Sequence, residues 1–191
     1  MLQLPTLFNT VVHDAGDMRH AKIGTSRNPA TGQSALPGHQ SIRHRLERSA
    51  GGRDRQQWVL ATKGCEFDYR AGDFALRVSP EHLREDLANS LEALQTDYID
   101  LYWLHRDDPS QPVGTVVDAL VAEQKAGRIR YFGCSNWSPE RIQEAQNYAR
   151  SIGHAGFVAC QPMWGLAEPD REAMQMYSPG GYYDDGYHAL H

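Results

Sequence analysis

Five polar residues directly follow, or end, predicted buried strands: Lys63, His105, Ser135, Asn136 and Gln161. Each comes after a run of aliphatic and aromatic residues, as in the stretch YIDLYWLHRDD that contains His105. Because the carboxyl ends of parallel strands share one face, we expect these side chains to converge. A lysine favours the anionic form of a neighbouring group, a neutral histidine can donate one hydrogen bond, and Ser, Asn and Gln offer donors and acceptors. This chemistry suits polarisation of a carbonyl group and binding of a ligand that carries an amide.

Each side chain near these strand ends also has a structural interpretation. His105 would cap its strand, and Lys63 would lay its apolar stem along the sheet with its charge in water. Asp100 lies inside its strand, which favours a structural hydrogen-bond partner over a catalytic carboxylate. Trp103 and Trp164 fit a core or a pocket wall. Convergence of several polar strand ends on one face favours a site over a separate structural role for each.

Three cysteines, Cys65, Cys134 and Cys160, are predicted near the same end of the sheet. A zinc site there is geometrically conceivable, but the sequence has no C-x-x-C pair and cysteine is often a small core residue. No paired carboxylates or histidine cluster lie at the strand ends, which disfavours a metal-dependent hydrolase. We therefore predict no metal. Widely spaced cysteines in odd number indicate free thiols and a cytoplasmic location.

A regular alternation of strands and helices begins at Trp58 and ends near Trp164. The predicted strands start at residues 58, 98, 129 and 157. Two of the helices between them start with Ser-Pro-Glu, at Ser79 and Ser138, which supplies an N-cap, a proline and an acidic first turn. Repeated βαβ units predict a parallel sheet. Repeats of this kind form either a doubly wound open sheet or a (β/α)8 barrel. Because the sequence has no G-x-G-x-x-G phosphate loop, which would favour the doubly wound sheet, we predict an α/β fold of the (β/α)8 TIM barrel type.

The sequence on either side of this core is less regular. Residues 1–57 carry a net charge of +4, whereas residues 58–191 carry −9. A strand from Leu7 to Val12 and a polar helix from Gln40 to Ser49 are predicted before the core, and a short helix from Pro169 to Met176 at its end. The predicted division is an irregular N-terminal segment (1–57), a βα core (58–176) and a Gly- and Tyr-rich tail (177–191).

Composition excludes several classes of protein. The chain has 40% hydrophobic and 23% charged residues, as folded globular domains do. A net charge of −5 gives no reason to expect binding to nucleic acid. No run of about 18 apolar residues is present, so no membrane span is predicted, and the N-terminus lacks the pattern of a secretory signal.

Four segments of the core resemble the aldo-keto reductase family: ATKG, TDYIDLYWLHRDD, KAGRIRYFGCSNWS and ACQPMWGLAEPDRE. They occur in the family's order and spacing and cover residues 58–176. The resemblance implies a (β/α)8 barrel that reduces a small aldehyde or ketone with NADPH and without metal. By position, Lys63 and His105 are implied to be catalytic. The residues implied to hold the nicotinamide carboxamide are Ser135, Asn136 and Gln161.

The sequence departs from the family pattern on both sides of the core. The resemblance implies an Asp-x-Ala-x-x-Tyr segment before the strand of Lys63, yet DAGDM at residues 14–18 does not fit and no tyrosine lies between Met1 and Cys65. The catalytic Tyr and Asp are therefore not found. The family also continues through two further βα units, so we expect a truncated, open barrel whose exposed edge promotes self-association. The predicted function is an oxidoreductase of doubtful activity; the alternative is an inactive remnant that acts at most as a binding module.

Overall fold

The computed structural model describes most of the chain from Trp58 onward, together with two strands before it. The described residues are 8–14, 22–26, 55, 58–67, 75–165, 170, 172 and 182–190; for 8–14, 22–26 and Trp58 only the backbone is described. The strands are β1 (Phe8–Asp14), β2 (Lys22–Ser26), β3 (Trp58–Gly64), β4 (Ile99–Leu104), β5 (Ile129–Ser135) and β6 (Cys160–Gln161). The helices are α1 (Pro80–Leu94), α2 (Val113–Lys125), α3 (Pro139–Ser151) and α4 (Asp185–Leu190).

The described strands form one sheet in the order β2-β1-β3-β4-β5-β6. The four strands from β3 to β6 are parallel neighbours, and α1, α2 and α3 lie between them along the chain. The predicted alternation of strands and helices and the predicted parallel sheet are thus confirmed. Among the described strands, β2 and β6 remain at opposite ends of the sheet, so the architecture is a partial, open (β/α)8 barrel.

The strands before Trp58 extend the sheet differently from a regular barrel. β1 pairs antiparallel with β3, and β2 pairs antiparallel with β1. β1 corresponds to the strand predicted from Leu7 to Val12, whereas β2 was not predicted, since KIGTS shows no clear alternation. The helix predicted from Gln40 to Ser49 and most of the one from Pro169 to Met176 lie outside the described residues.

The strand predicted from Phe157 to Cys160 begins later, because a side chain of α3 occupies the backbone of Phe157. The Gln146 side chain accepts a hydrogen bond from the Phe157 N–H at 2.8 Å and donates one to its carbonyl at 3.1 Å. Phe157 is therefore held against the helix layer, where its ring packs edge-on against Trp137. Backbone bonds to β5 resume directly after Phe157, since the Val158 N–H donates to the Phe132 carbonyl at 3.0 Å. The register pairs with β5 are those of the two residues of β6.

The helices begin at the residues that the sequence indicates. The Ser79 hydroxyl accepts from the His82 N–H, and the Ser138 hydroxyl accepts from the Arg141 N–H, each at 3.3 Å. Each serine is followed by proline in the first helical turn. These contacts confirm both predicted N-caps and fix where α1 and α3 start relative to the strand ends.

One face of the sheet packs against the helices and forms the core. Leu60, Tyr102 and Phe132, from β3, β4 and β5, are buried there. From the helices, Leu87 of α1 and Leu120 of α2 are buried in the same cluster. No helix in the described part of the chain is long and apolar enough to cross a membrane.

The opposite face of the sheet is more exposed. Register partners Ala61, Leu101 and Tyr131 lie side by side on it, where Tyr131 is 56% exposed and Val59 of β3 is 41% exposed. We call this surface the open face; it consists of Val59, Ala61, Leu101, Trp103 and Tyr131. In a closed barrel such residues fill the interior, so the exposure of Val59 and Tyr131 follows from a sheet that does not close among the described residues.

The N-cap of α3 provides a test of this account of the fold. Replacing Ser138 with alanine leaves helix N–H groups without an acceptor, so the free energy of unfolding should fall by about 1 kcal/mol. Ser138→Asp keeps an acceptor and should retain most of the stability. Urea denaturation followed by circular dichroism measures both. Ser151→Ala, at the exposed end of the same helix, is the control and should change stability by less than about 0.5 kcal/mol; equal losses in all three variants would contradict the capping role.

Candidate active site

The polar residues predicted to converge lie at the carboxyl ends of four adjacent parallel strands. Lys63 is the last residue but one of β3, and Ser135 and Gln161 end β5 and β6. His105 follows β4 directly, and its N–H donates to the Gly64 carbonyl at 2.8 Å. This bond continues the pairing of β3 with β4 by one residue, so the His105 backbone is held as firmly as the strand itself.

The hydroxyl of Ser135 joins three of these strand ends. It donates to the Gln161 carbonyl at 2.8 Å and lies 3.4 Å from the Lys63 ammonium group, which donates to it. The Asn136 side-chain N–H₂ donates to the Ser135 hydroxyl at 3.2 Å and to the His105 carbonyl at 2.8 Å. Lys63, Ser135, Asn136 and the backbone of His105 therefore form one connected network, as expected from the order of the strands.

Gln161 enters this network through its backbone only. Its carbonyl accepts from Ser135, and its residue is exposed at the edge of the described sheet. The side-chain amide of Gln161 thus lies beside the network rather than inside it. Asn136 is held in the left-handed region, with a φ of 60°, which asparagine tolerates better than most residues; this turn brings its side chain back towards His105.

Glu66 is a site residue that the sequence analysis missed. It lies in the loop after β3, is only 5% exposed, and places one carboxylate oxygen 2.6 Å from Nδ1 of His105. Its other oxygen accepts from Nε of Arg106 at 2.8 Å and from the Phe67 N–H at 3.0 Å. The available signal was a carboxylate three residues after the strand-end lysine, but the loop has no periodicity that would indicate where it points.

The charged run Arg106–Asp108 is typical in sequence of a solvated loop, but in the structure Asp108 is buried and Arg106 and Asp107 are partly buried. Arg106 pairs with buried Glu66, and its carbonyl accepts from Nε1 of Trp137 at 3.0 Å. The carboxylate of Asp107 is clamped by Arg141, with nitrogen–oxygen distances of 3.0 and 3.1 Å. Arg106 is paired with Glu66 in the loop after β3, and Asp107 is paired with Arg141 of α3. These ion pairs permit the burial of charges that would otherwise remain in water.

Burial and neighbouring charges shift the pKa values of the site. Burial lowers the pKa of Lys63 to about 8, an effect that Glu66 opposes and Arg106 reinforces. Burial alone would raise the pKa of Glu66, but the hydrogen bonds and charges of His105 and Arg106 bring it to about 2. Burial also lowers the pKa of His105 below its usual value, despite the opposing effect of Glu66. At neutral pH the site therefore holds an ionised Glu66 beside a neutral His105.

Asp100, at the amino end of β4, belongs to a separate ion-pair cluster. Its carboxylate accepts from Arg55 at 2.8 Å, from the Leu60 N–H at 2.9 Å and from Arg130 at 2.8 Å. These contacts join the start of β3, β4 and β5, at the end of the sheet away from His105. Asp100 thus serves the packing of the sheet.

The cysteines contribute to packing rather than to the polar network. Cys65 and Cys134 are buried in the core, and burial raises the pKa of both thiols. Among the residues that the structure describes, no group of three or more His, Cys, Asp or Glu side chains is arranged to hold a metal ion.

The arrangement is suited to an oxygen that gains negative charge. A buried lysine and a histidine lie at one strand-end face with fixed amide and hydroxyl groups beside them, and such preorganised groups act strongly where water is excluded. Within the described residues, the side-chain hydrogen bonds of Lys63 and His105 go to Ser135 and Glu66, and none goes to a tyrosine hydroxyl.

Comparison with known proteins gives one family. A family model described as the aldo/keto reductase family matches residues 40–178. Aldo-keto reductase YhdN of Bacillus subtilis is 38% identical over 118 residues, which cover 62% of this chain and 34% of that protein. A putative voltage-gated potassium channel subunit beta of Schizosaccharomyces pombe is 32% identical over 124 residues, covering 62% and 35%.

A third similar protein carries a cofactor in its name. Aldo-keto reductase yakc [NADP(+)] of Schizosaccharomyces pombe is 37% identical over 92 residues, which cover 48% of this chain and 27% of that protein. The matched part of the chain thus spans about a third or less of the length of these relatives.

Lys63 should reduce the stability of the folded protein at neutral pH, because burial opposes its charge. Lys63→Met removes the charge and keeps the apolar stem, so the free energy of unfolding at pH 7 should rise by up to about 3 kcal/mol. Between pH 8 and 10.5 the unfolded lysine holds its proton while the folded one loses it, so the stability contribution of Lys63 should rise with pH there. The Lys63→Met variant should lack this rise.

Urea denaturation at a series of pH values measures this effect, with Lys125→Met as the matched control. Lys125 is exposed in the last turn of α2, so its replacement should change stability little at any pH. A loss of stability at pH 7 in Lys63→Met would show that the buried ammonium group does not destabilise the folded protein.

Proposed function

The chain belongs to the aldo/keto reductase family, and from this premise we propose that its site serves the NADPH-dependent reduction of a small aldehyde or ketone. The observation that carries the proposal is the hydrogen-bonded network that joins the side chains of Lys63, Ser135 and Asn136 to the backbone carbonyl of His105 at one strand-end face. Membership of the family does not by itself show that these groups are in contact in this chain. Their contact supports a site that acts as a unit.

Three polar residues at the strand ends, Ser135, Asn136 and Gln161, are the groups available to bind the nicotinamide carboxamide of the proposed cofactor. A carboxamide needs both a donor and an acceptor, and the exposed side-chain amide of Gln161 offers both. Ser135 and Asn136 lie beside it and, in their present contacts, hold the neighbouring strand ends in place. The donor set therefore fits the carboxamide, with Gln161 as the most accessible group. When bound, the reduced nicotinamide supplies a hydride.

The proposed roles of the chain's own side chains follow from their charge and burial. Lys63 is positively charged at pH 7 and 6% exposed, so it favours negative charge that develops on a carbonyl oxygen. Its low exposure keeps water from weakening that effect. Glu66 and Arg106 hold the ring of His105 at the same face. Lys63 therefore stabilises the developing charge, and the ring of His105 is held beside it.

A non-catalytic binding module is the second proposal. It is favoured by the absence, within the described residues, of a tyrosine hydroxyl bonded to Lys63 or His105. A general acid typically contributes 10²–10⁴-fold to a rate, so a site without one could bind a cofactor and turn over slowly or not at all. The similarity to a protein named as a channel subunit supports this alternative.

We also propose a cytoplasmic location and self-association of the chain. An odd number of cysteines at wide spacing, three in the sequence, supports a location in the reducing cytoplasm. The exposed side chains Tyr131 and Val59 of the open face support self-association, since contiguous exposed apolar surface favours association. The division into segments 1–57, 58–176 and 177–191 stays a prediction.

Cofactor binding and turnover separate the two proposed functions. Titration of NADPH into the protein, followed by cofactor fluorescence, should saturate, and addition of 4-nitrobenzaldehyde should then oxidise the cofactor. His105→Ala should reduce turnover by about 10²-fold or more and leave the affinity for NADPH nearly unchanged. His188→Ala, an exposed histidine of α4, is the matched control and should keep full activity. Saturable binding without turnover would favour the binding module, and no binding at millimolar NADPH would refute both.

A further inference from the structure

Glu66 is a buried carboxylate for which simple stabilisation of a carbonyl oxygen has no use. Three donors surround it: the Nδ1 side of His105 at 2.6 Å, Nε of Arg106 at 2.8 Å and the Phe67 N–H at 3.0 Å. A carboxylate with several donors and little exposure stays ionised and can only accept hydrogen bonds. Glu66 is therefore built into the site as a fixed anion.

The anion determines which nitrogen of His105 carries the hydrogen. A hydrogen bond across 2.6 Å between Nδ1 and an ionised carboxylate requires the hydrogen to sit on Nδ1. A neutral imidazole has only one N–H, so Nε2 is left with a lone pair. Within the described residues Nε2 has no hydrogen-bond partner, and the side chain is 12% exposed. Neutral His105 can therefore accept a proton through Nε2 but cannot donate a hydrogen bond from it.

Three charged groups face this ring and set its proton affinity. Burial is the largest influence and favours the neutral ring, the bond and charge of Glu66 favour the imidazolium, and the charges of Lys63 and Arg106 oppose it. The neutral form of His105 therefore prevails at neutral pH, although a carboxylate touches the ring. This differs from the expectation from sequence, in which neutral His105 donates to a carbonyl oxygen.

We propose that Glu66 is a positioning residue that holds neutral His105 with its hydrogen on Nδ1, so that His105 exchanges a proton with the substrate oxygen through Nε2. This rests on the proposed oxidoreductase function. A bound reduced nicotinamide would supply the hydride. The carbonyl carbon would then accept that hydride, the π electrons of C=O would move to oxygen, and oxygen would take the Nε2 proton of the imidazolium, which would leave the neutral ring and the oxidised cofactor.

The reverse step uses the form of the ring that prevails at neutral pH. Nε2 would take the hydroxyl proton of a small alcohol, and the O–H bonding pair would become the second C–O bond. The alcohol carbon would release its hydride to the oxidised cofactor, so that the alcohol is oxidised and the cofactor reduced. Alcohol oxidation should therefore gain rate as pH rises through the pKa of His105.

Imidazole ¹⁵N NMR on histidine-labelled protein tests the proposal without cofactor. His105→Gln assigns the signal of His105 among the nine histidines. At pH 8 the wild-type signal should show a protonated Nδ1 and an unprotonated Nε2. In Glu66→Gln the pKa of His105 should fall further, because the negative charge that favours the imidazolium is gone. Glu92→Gln, on the exposed surface of α1, should leave tautomer and pKa unchanged.

A protonated Nε2 of His105 in the wild type at pH 8 would overturn the inference, even if Glu66→Gln fails to fold. In active protein, the rising pH limb for alcohol oxidation should move to lower pH in Glu66→Gln and stay in place in Glu92→Gln; an unmoved limb would also overturn it. NADPH titration of the same sample separates the two proposals. If the protein binds the cofactor but Nε2 is protonated, only the proposed role of Glu66 is refuted. If Nδ1 is protonated but the protein does not bind the cofactor, only the proposed reductase function is refuted.

Discussion

The buried hydroxyl of Ser135 is the contact on which the geometry of the site depends. It donates to the Gln161 carbonyl and accepts from Lys63 and Asn136, so its one donor and two acceptor positions are all used. Through it the ends of β3, β5 and β6 are tied together, and Asn136 carries the tie to His105. Fully satisfied buried polar networks of this kind rigidify a site, whereas partly satisfied ones destabilise it.

Electrostatic balance is the second constraint. The site gathers Lys63 and Arg106 around one carboxylate, that of Glu66, with His105 neutral between them. Removing charges from water is expensive unless they are paired, which explains why Glu66 contacts three donors. The lowered pKa of Lys63 shows that this pairing compensates its burial only in part. A site of this composition is expected where function outweighs stability.

The sequence predicted the parts of the structure that repeat and missed those that depend on single side chains. The strand-end positions of Lys63, His105 and Ser135 follow from the alternation of strands and helices, because parallel strands end on one face. The starts of α1 and α3 were predictable from the Ser-Pro-Glu segments at Ser79 and Ser138, because an N-cap depends only on neighbouring residues. These features need no knowledge of distant contacts.

Features set by contacts between distant residues could not be predicted. Glu66 reaches His105 because the preceding residue, Cys65, takes a left-handed φ of 62° and its N–H donates to Asp86 of α1 at 2.7 Å. No periodicity in the loop encodes that turn. The late start of β6 likewise depends on Gln146, eleven residues before Phe157.

The Gln146 contact also affects how molecules can meet. An edge strand offers unpaired backbone groups to a neighbouring chain, and long edges invite sheet-to-sheet aggregation. By capturing both backbone groups of Phe157, Gln146 withdraws that residue from strand pairing. A strand from a neighbouring chain therefore cannot pair with the backbone of Phe157.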